Sequence, residues 1–494
     1  MRRAKWLKYS VLLVVIPVTL MTAQIVRSAY HHMGEIDSGI FLTVYPEKAG
    51  TKLDNCNLCH SGGSYVQAGP PPKTVTLGSC QWCHYKYGYD AKGDINETLN
   101  AYGKAYRSAG RSTAGVLAIE KDDADGDGYT NKAEIAANRY PGDANDTPAK
   151  VPAPYRVYTR AELEKLPQHT QFMLMNTHKS ADFYAEYTGV PLESLLKKIT
   201  LPSATSIIAY SPDGYNQYHP LNPDPNPIFY HIFGTYPAAQ FYYDPQADLA
   251  LFPSSGWCDY SAPSVAGRIN GQPIINPKGM KTILAIKRDG QYLIPGVLNS
   301  SNKLDGEGPF RVVPPQKIPG PPDQKSSSKV QNVIWPFNDN ADHSAGFSAR
   351  TVTIIKVEPL PAGTTDPDLL EAGWPYADEL NPRIMIYGAI DPVPTIKVKL
   401  AGLSSTLWHG NKSSFTHWGY RSALATRVNL VEKWVMLGWY SKAYNDLKGH
   451  VLIRTDGCTV AGAADKDDWV ADCEFQKQLY WSINEVLVLL DIVN

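Results

Sequence analysis

Near the start of the chain, two cysteine pairs are each followed at once by histidine: Cys56-Asn57-Leu58-Cys59-His60 and Cys80-Gln81-Trp82-Cys83-His84. Two thiols at this spacing can bond to the two vinyl groups of one haem, and the adjacent histidine then stands where it can ligate the iron. Each motif therefore predicts one covalently attached c-type haem. Cys56, Cys59, Cys80 and Cys83 are the expected attachment points, and His60 and His84 the expected iron ligands. Attachment points this close predict neighbouring haems that can pass electrons to each other. A zinc ribbon also uses two such cysteine pairs. It has no need of a histidine after each pair, however, and here both pairs have one. For the sixth iron ligand, His31 and His32, followed by Met33, are the nearest candidates, and His169 and His178 lie further off. A methionine there would raise the potential, and an open coordination position is the alternative.

A second pattern follows closely. The stretch Asp123-Ala124-Asp125-Gly126-Asp127-Gly128-Tyr129-Thr130-Asn131-Lys132-Ala133-Glu134 matches the calcium-loop pattern D-x-D-x-D-G-x5-E at each specified position. Asp123, Asp125 and Asp127 offer oxygens at the first, third and fifth positions, and Gly128 permits the turn at the sixth. Tyr129 is expected to give its backbone carbonyl, Asn131 to act at the ninth position, and Glu134 to bind through both oxygens at the twelfth. The expected role of Ca2+ is structural, bracing the haem module. The competing reading is a solvated acidic turn.

These residues need elements to hold them. Ala114–Glu120 and Asn131–Ala137 read as short helices flanking the loop. Gly62, Gly63, Gly69 and Pro70–Pro72, between the two cysteine motifs, read as loop. So little chain leaves the porphyrins themselves as the expected apolar centre. Pro148, Pro152 and Pro154 mark a boundary. Beyond it Thr159 and Glu162 form a capping-box pattern that should open a helix. Thr282–Ile286, Thr351–Val357 and Thr395–Leu400 read as strands. Trp434, Trp439, Tyr440 and Tyr444 read as a packed helical face, and Ile483–Val493 as a docked terminal helix or strand. Cys458 and Cys473 are expected to pair as a disulfide in an oxidising compartment.

The compartment is suggested by the N-terminus. Arg2, Arg3, Lys5 and Lys8 precede the apolar run Val11–Leu20, which reads as an export signal peptide, with an uncleaved membrane anchor as the rival. With 43% hydrophobic and 19% charged residues the chain is globular, and a net charge of −1 gives no support for a nucleic-acid partner. The expected organisation is multi-domain α+β. Residues 1–29 form the signal or anchor and 30–150 a haem-centred cytochrome c module with an EF-hand-like calcium loop. Residues 151–349 form a β-rich middle domain and 350–494 a β-rich or mixed C-terminal domain.

Two resemblances sharpen this. The order of two Cys-x-x-Cys-His motifs, an Asp-rich loop and then Asp305-Gly306-Glu307-Gly308-Pro309 resembles the GEGP-motif dihaem proteins, exported bacterial cytochromes. The middle domain resembles the molybdopterin-binding fold of sulfite-oxidase-like enzymes. The segments that carry this are Gly189-Val190-Pro191-Leu192, Asp213-Gly214-Tyr215, Ile283-Leu284-Ala285 and Gly308-Pro309-Phe310-Arg311-Val312-Val313-Pro314. In that family a thiolate before the Gly-Val-Pro-Leu segment holds the metal. Between Pro148 and Gly189 there is no cysteine, and Cys258 comes later. The resemblance thus implies the fold without its cofactor. The function these features imply is electron transfer by two covalently bound haem c groups, between a redox protein donor and acceptor in the periplasm or at the cell surface. The alternatives are a sulfite-dehydrogenase-like molybdenum oxidoreductase with fused haem, or a docking component of a surface redox assembly.

Overall fold

The computed structural model describes residues 36–494 apart from 68–72, 88–91, 176–181, 213–214, 224–230, 237–239, 244, 247–248, 250–257, 260–262, 270, 299–303, 316–344, 346–347 and 369–373. The expected export segment, the candidate ligands His31, His32 and Met33, and also His178 and Asp213-Gly214, lie outside the described residues. The fold is mixed α and β in several units. No helix among the described residues is long and apolar enough to cross a membrane.

The first unit is built from short helices whose starts are written in the sequence as caps. It contains α1 (Asp37–Val44), the strands β1 (Gly63–Gln67) and β2 (Lys73–Leu77), α2 (Ser79–Tyr87), α3 (Ala101–Ser108), α4 (Thr113–Ala118) and α5 (Asn131–Ala136). Asn100, Ser112 and Thr130 each accept a backbone N–H of the helix that follows, satisfying donors the first turn leaves without a helical acceptor. The stretch between the cysteine motifs, expected as loop, is instead an antiparallel hairpin with Tyr65 opposite Val75. Its glycines and prolines mark the ends and the connection, while the β-branched residues between them pair. The unit also has a protein core of its own. Phe41, Leu53, Leu58, Tyr102, Tyr106, Val116, Ile119, Ile135 and Tyr140 are buried together.

Two sheets follow. One has five strands: β4 (Tyr155–Thr159), β7 (Ser206–Tyr210), β8 (Asn216–Pro220), β13 (Ile354–Glu358) and β15 (Arg383–Gly388), in the order β4-β15-β13-β7-β8. The other joins β5 (His169–Met175), β6 (Asp182–Pro191), β9 (Cys258–Asp259), β10 (Ile283–Arg288), β11 (Gln291–Tyr292) and β12 (Arg311–Val313). The pair β3 (Val151–Pro152) and β14 (Thr364–Thr365) runs parallel beside them. The helix α6 (Arg160–Glu164) opens on the expected capping box of Thr159 and Glu162. The helix α7 (Leu192–Leu196) leads out of β6. Val190, Leu195, Ile207, Leu284, Val312, Ile355 and Ile386 belong to one buried cluster, so a single core is shared by both sheets.

Two expectations are corrected here. The boundary at 350 cuts through a sheet, because β13 pairs with β7 on one side and β15 on the other. Residues 350–494 are mixed, the strands β13, β14 and β15 being followed by helices: α8 (Val393–His409), α9 (Tyr420–Met436), α10 (Tyr440–His450), the single turn α11 (Gly457–Val460) and α12 (Cys473–Asp491). Thr395–Leu400, expected as a strand, lies inside α8. Its apolar residues Ile396, Val398 and Leu400 alternate with lysines, but the buried set of the whole helix is Thr395, Ile396, Leu400, Leu403, Ser404 and Leu407, which is the three-to-four spacing of a helix. Cys458 and Cys473 form the expected disulfide.

Candidate functional site

The first cysteine motif is a tight turn. Asn55 caps it by accepting the Asn57 N–H, and Cys56–Leu58 makes one turn of 3-10 helix. Residues 59–61 then run beside 98–100. Ser61 donates to the Thr98 carbonyl and Asn100 to the Cys59 carbonyl, each at 2.9 Å. The approach is so close that a Cβ on Gly103 would lie 2.2 Å from the Cys59 carbonyl oxygen. Only glycine allows α3 to lie against the motif.

Cys56, Cys59 and His60 open into one cleft. Its walls include Phe41, Leu53, Leu58, Leu99 and Tyr106, together with the exposed Arg107 and Arg111. The cleft is open at its mouth and holds about 730 Å³ of empty space, the solvent at the mouth included. His60 has a defined orientation. Its Nδ1 lies 2.7 Å from Thr98 Oγ1, and that hydroxyl donates onward to the Ile95 carbonyl at 2.7 Å. The hydroxyl proton is thus committed, so Thr98 accepts from His60 and Nδ1 carries the hydrogen. The lone pair is then on Nε2, the arrangement an iron ligand needs. Two thiols, an oriented imidazole, apolar walls and exposed arginines suited to carboxylates are a donor set that fits a covalently held haem.

The second motif sits on α2. Ser79, just before Cys80, donates to the side chain of Asn57 inside the first motif, so the two motifs lie side by side. Trp82 stacks on Tyr85 with ring centres 5.4 Å apart, and Tyr85 on Tyr65 of the hairpin at 4.7 Å. Cys83 is half-buried. The side chains of Cys80 and His84 are not among those described. His169 is buried in β5 and does not line the cleft. Among the described residues the cleft has no histidine besides His60 and no methionine.

The acidic loop brings its first three carboxylates together: oxygens of Asp123, Asp125 and Asp127 lie within 4.8 Å of one another. Asp123 accepts the backbone N–H groups of Gly126, Asp127 and Gly128, which hold its carboxyl below the ordinary range. Gly128 takes φ +98°, a left-handed turn that suits glycine. Glu134 is fully buried, and neither of its carboxylate oxygens has a hydrogen-bond partner. Burial, then the charges of Asp125, Asp127 and Asp123, push it up to about 9. Asp125 is pushed up to about 6 by burial and by Asp127. Uncompensated carboxylates sharing one place are what a divalent cation would relieve. Tyr129 occupies the seventh position, its N–H donated to Asp127 at 2.8 Å. Asn131 departs from expectation. It is buried, its amide donates to the Ile119 carbonyl at 2.8 Å, and its oxygen accepts the Ala124 N–H at 3.2 Å. It ties the loop to α4 instead of facing the loop centre.

Sequence reasoning missed Thr98, whose role depends on a residue far back in the chain, and the environment of Glu307. This glutamate binds Arg311 at 2.8 Å, Tyr187 at 3.0 Å, and Arg288. Three of the segments behind the second resemblance, at residues 189–191, 283–285 and 311–313, meet in one sheet, with Leu284 opposite both Val190 and Val312. Comparisons of the chain with protein-family models, curated proteins and solved structures find no match.

Proposed function

We propose that the protein is an exported electron carrier with two covalent c-type haems, passing electrons between redox proteins outside the cytoplasm. The observation that carries this reading is the convergence of Cys56, Cys59 and His60 on one apolar cleft, with the His60 tautomer set by Thr98. Haem, when bound, supplies a one-electron Fe(III)/Fe(II) couple. The protein's own part is to hold and shield it. Cys56 and Cys59 anchor one edge, His60 presents Nε2, Phe41 and Leu58 exclude water, and Arg107 and Arg111 can meet propionates. The Ser79–Asn57 bond keeps the second motif beside the first, which favours transfer between two haems. His31 or His32 is the proposed sixth ligand. The body beyond residue 150 serves as scaffold and docking surface, with a molybdopterin-type fold that has no thiolate at the expected place.

The test is metal and haem analysis of the exported protein. Two irons and two pyridine haemochromes per chain are expected, falling to one in a Cys56→Ala/Cys59→Ala variant. Zinc in place of iron would overturn the haem reading. Stoichiometric molybdenum would overturn the carrier reading in favour of an oxidoreductase.

A further inference from the structure

We propose that Asp123, Asp125, Asp127 and Glu134 bind a calcium ion that acts on the first haem, raising its potential as well as bracing the fold. The inference rests on the haem reading above and extends it to regulation by a metal.

The cation site has two independent supports. The first is the cluster of three aspartates, with Asp123 already oriented by three backbone N–H groups. The second is Glu134, fully buried on α5 with both oxygens lacking a partner. Asp125 and Asp127 each also hold one buried oxygen without a partner. The charged groups acting most on Glu134 are Asp125, Asp127, Asp123 and Asp146, all acidic. Lys132, the lysine on the same helix, is committed to Glu120 at 2.7 Å. An oxygen-only set with one carboxylate free to bind through both atoms suits calcium, which accepts irregular coordination, better than magnesium, which demands a near-ideal octahedron.

The coupling follows from what lies behind the loop. Ala124, between two of the aspartates, and Ile135, next to Glu134, pack in the same apolar cluster as Phe41, Leu53, Leu58 and Tyr106. Those four residues line the haem cleft. Asn131 locks the loop to Ile119 of that cluster. Loop and cleft are therefore two faces of one small core. A charge acting through such a core is weakened far less than one acting through water. Reduction takes one positive charge off the iron, so a nearby divalent cation favours the reduced state and raises the potential.

The experiment uses the full-length exported protein, with its haem content verified by pyridine haemochrome. Calcium binding is measured by calorimetry. The two midpoint potentials are measured by optical redox titration in chelator, in calcium, and in magnesium at matched ionic strength. One calcium per chain and an upward shift of a single haem, absent in magnesium, are expected. Glu134→Gln and, separately, Asp125→Asn should abolish both binding and shift while retaining two haems. Calcium binding with both potentials unmoved would overturn the inference and leave a simple brace. Intact haems with no calcium binding would also overturn it. A protein without haem would overturn the electron-transfer reading, and this inference with it.

Discussion

His60 and Thr98 show how a single hydroxyl can set the tautomer of an imidazole. Thr98→Val keeps the shape and removes the acceptor. If the proposed haem is in place, the expected result is an imidazole that donates less electron density, a higher potential for that haem, and a histidine–iron bond weakened about ten- to a hundred-fold, as is typical when the partner of a metal ligand is removed. Optical redox titration and loss of the histidine-bound haem spectrum under denaturant check this. Glu307 carries a different kind of prediction. Burial opposes its ionised form, but Arg311 and Arg288 outweigh burial and hold its carboxyl at about 2, below the ordinary 4.5. The ionised form is therefore favoured by folding. Its contribution of about 3 kcal/mol is complete above pH 4.5 and is lost as pH falls through about 2. Glu307→Gln should flatten this part of the stability curve. It should also cost about 3–5 kcal/mol at neutral pH, because buried Arg311 loses its counter-charge. Denaturant unfolding from pH 2 to 7 reads both effects. Cys56, Cys59, His60 and the acidic loop stand out in sequence because their spacing alone suggests a chemistry, and the structure places the first three on one cleft and clusters Asp123, Asp125 and Asp127. Thr98 does not stand out, since it lies 38 residues from the histidine it orients. Nor does the turning inward of Asn131, which depends on where Ile119 and Ala124 lie.

The helices and strands divide along similar lines. Where a cap sits beside its own helix, as with Thr159 and Glu162 on α6, sequence reading and structure agree, because both partners are local. In α8 a six-residue window showed alternation, and only the full helix displayed the three-to-four burial spacing. The hairpin between the cysteine motifs was hidden by its glycines and prolines, which mark connections more loudly than five-residue strands mark pairing. The C-terminal helices α8, α9, α10 and α12 share one apolar core, and α12 is tied to α11 by the Cys458–Cys473 disulfide across a separation of 15 residues. Closing a loop of that size is worth about 3 kcal/mol. Replacing both cysteines by serine should lower stability by about that amount in denaturant unfolding and leave the haem count unchanged.

At the scale of the whole molecule, a buried polar seam joins the first unit to the sheets. Lys52 is fully buried, with Asp146 at 2.6 Å and Thr365 at 3.2 Å, and Thr365 also donates to Asp146. Asn138 donates to Asp368 at 3.0 Å, and β3 runs parallel to β14 beside them. Lys52→Met would leave Asp146 buried with a diminished counter-charge. A loss of about 3–5 kcal/mol is expected, together with faster proteolysis between the first unit and the sheets, which limited digestion would detect. This seam has a consequence in time. Lys52 and Thr365 are 313 positions apart, and at ordinary synthesis rates of about 5–20 residues per second the second appears roughly 15–60 s after the first. During that interval Lys52 lacks its hydroxyl partner from the sheets, although every wall of the cleft, between residues 37 and 111, is already made. The first unit, with a core of its own, is therefore made well before the seam can close, and limited proteolysis of chains arrested before residue 360 would show whether it folds ahead of the sheets.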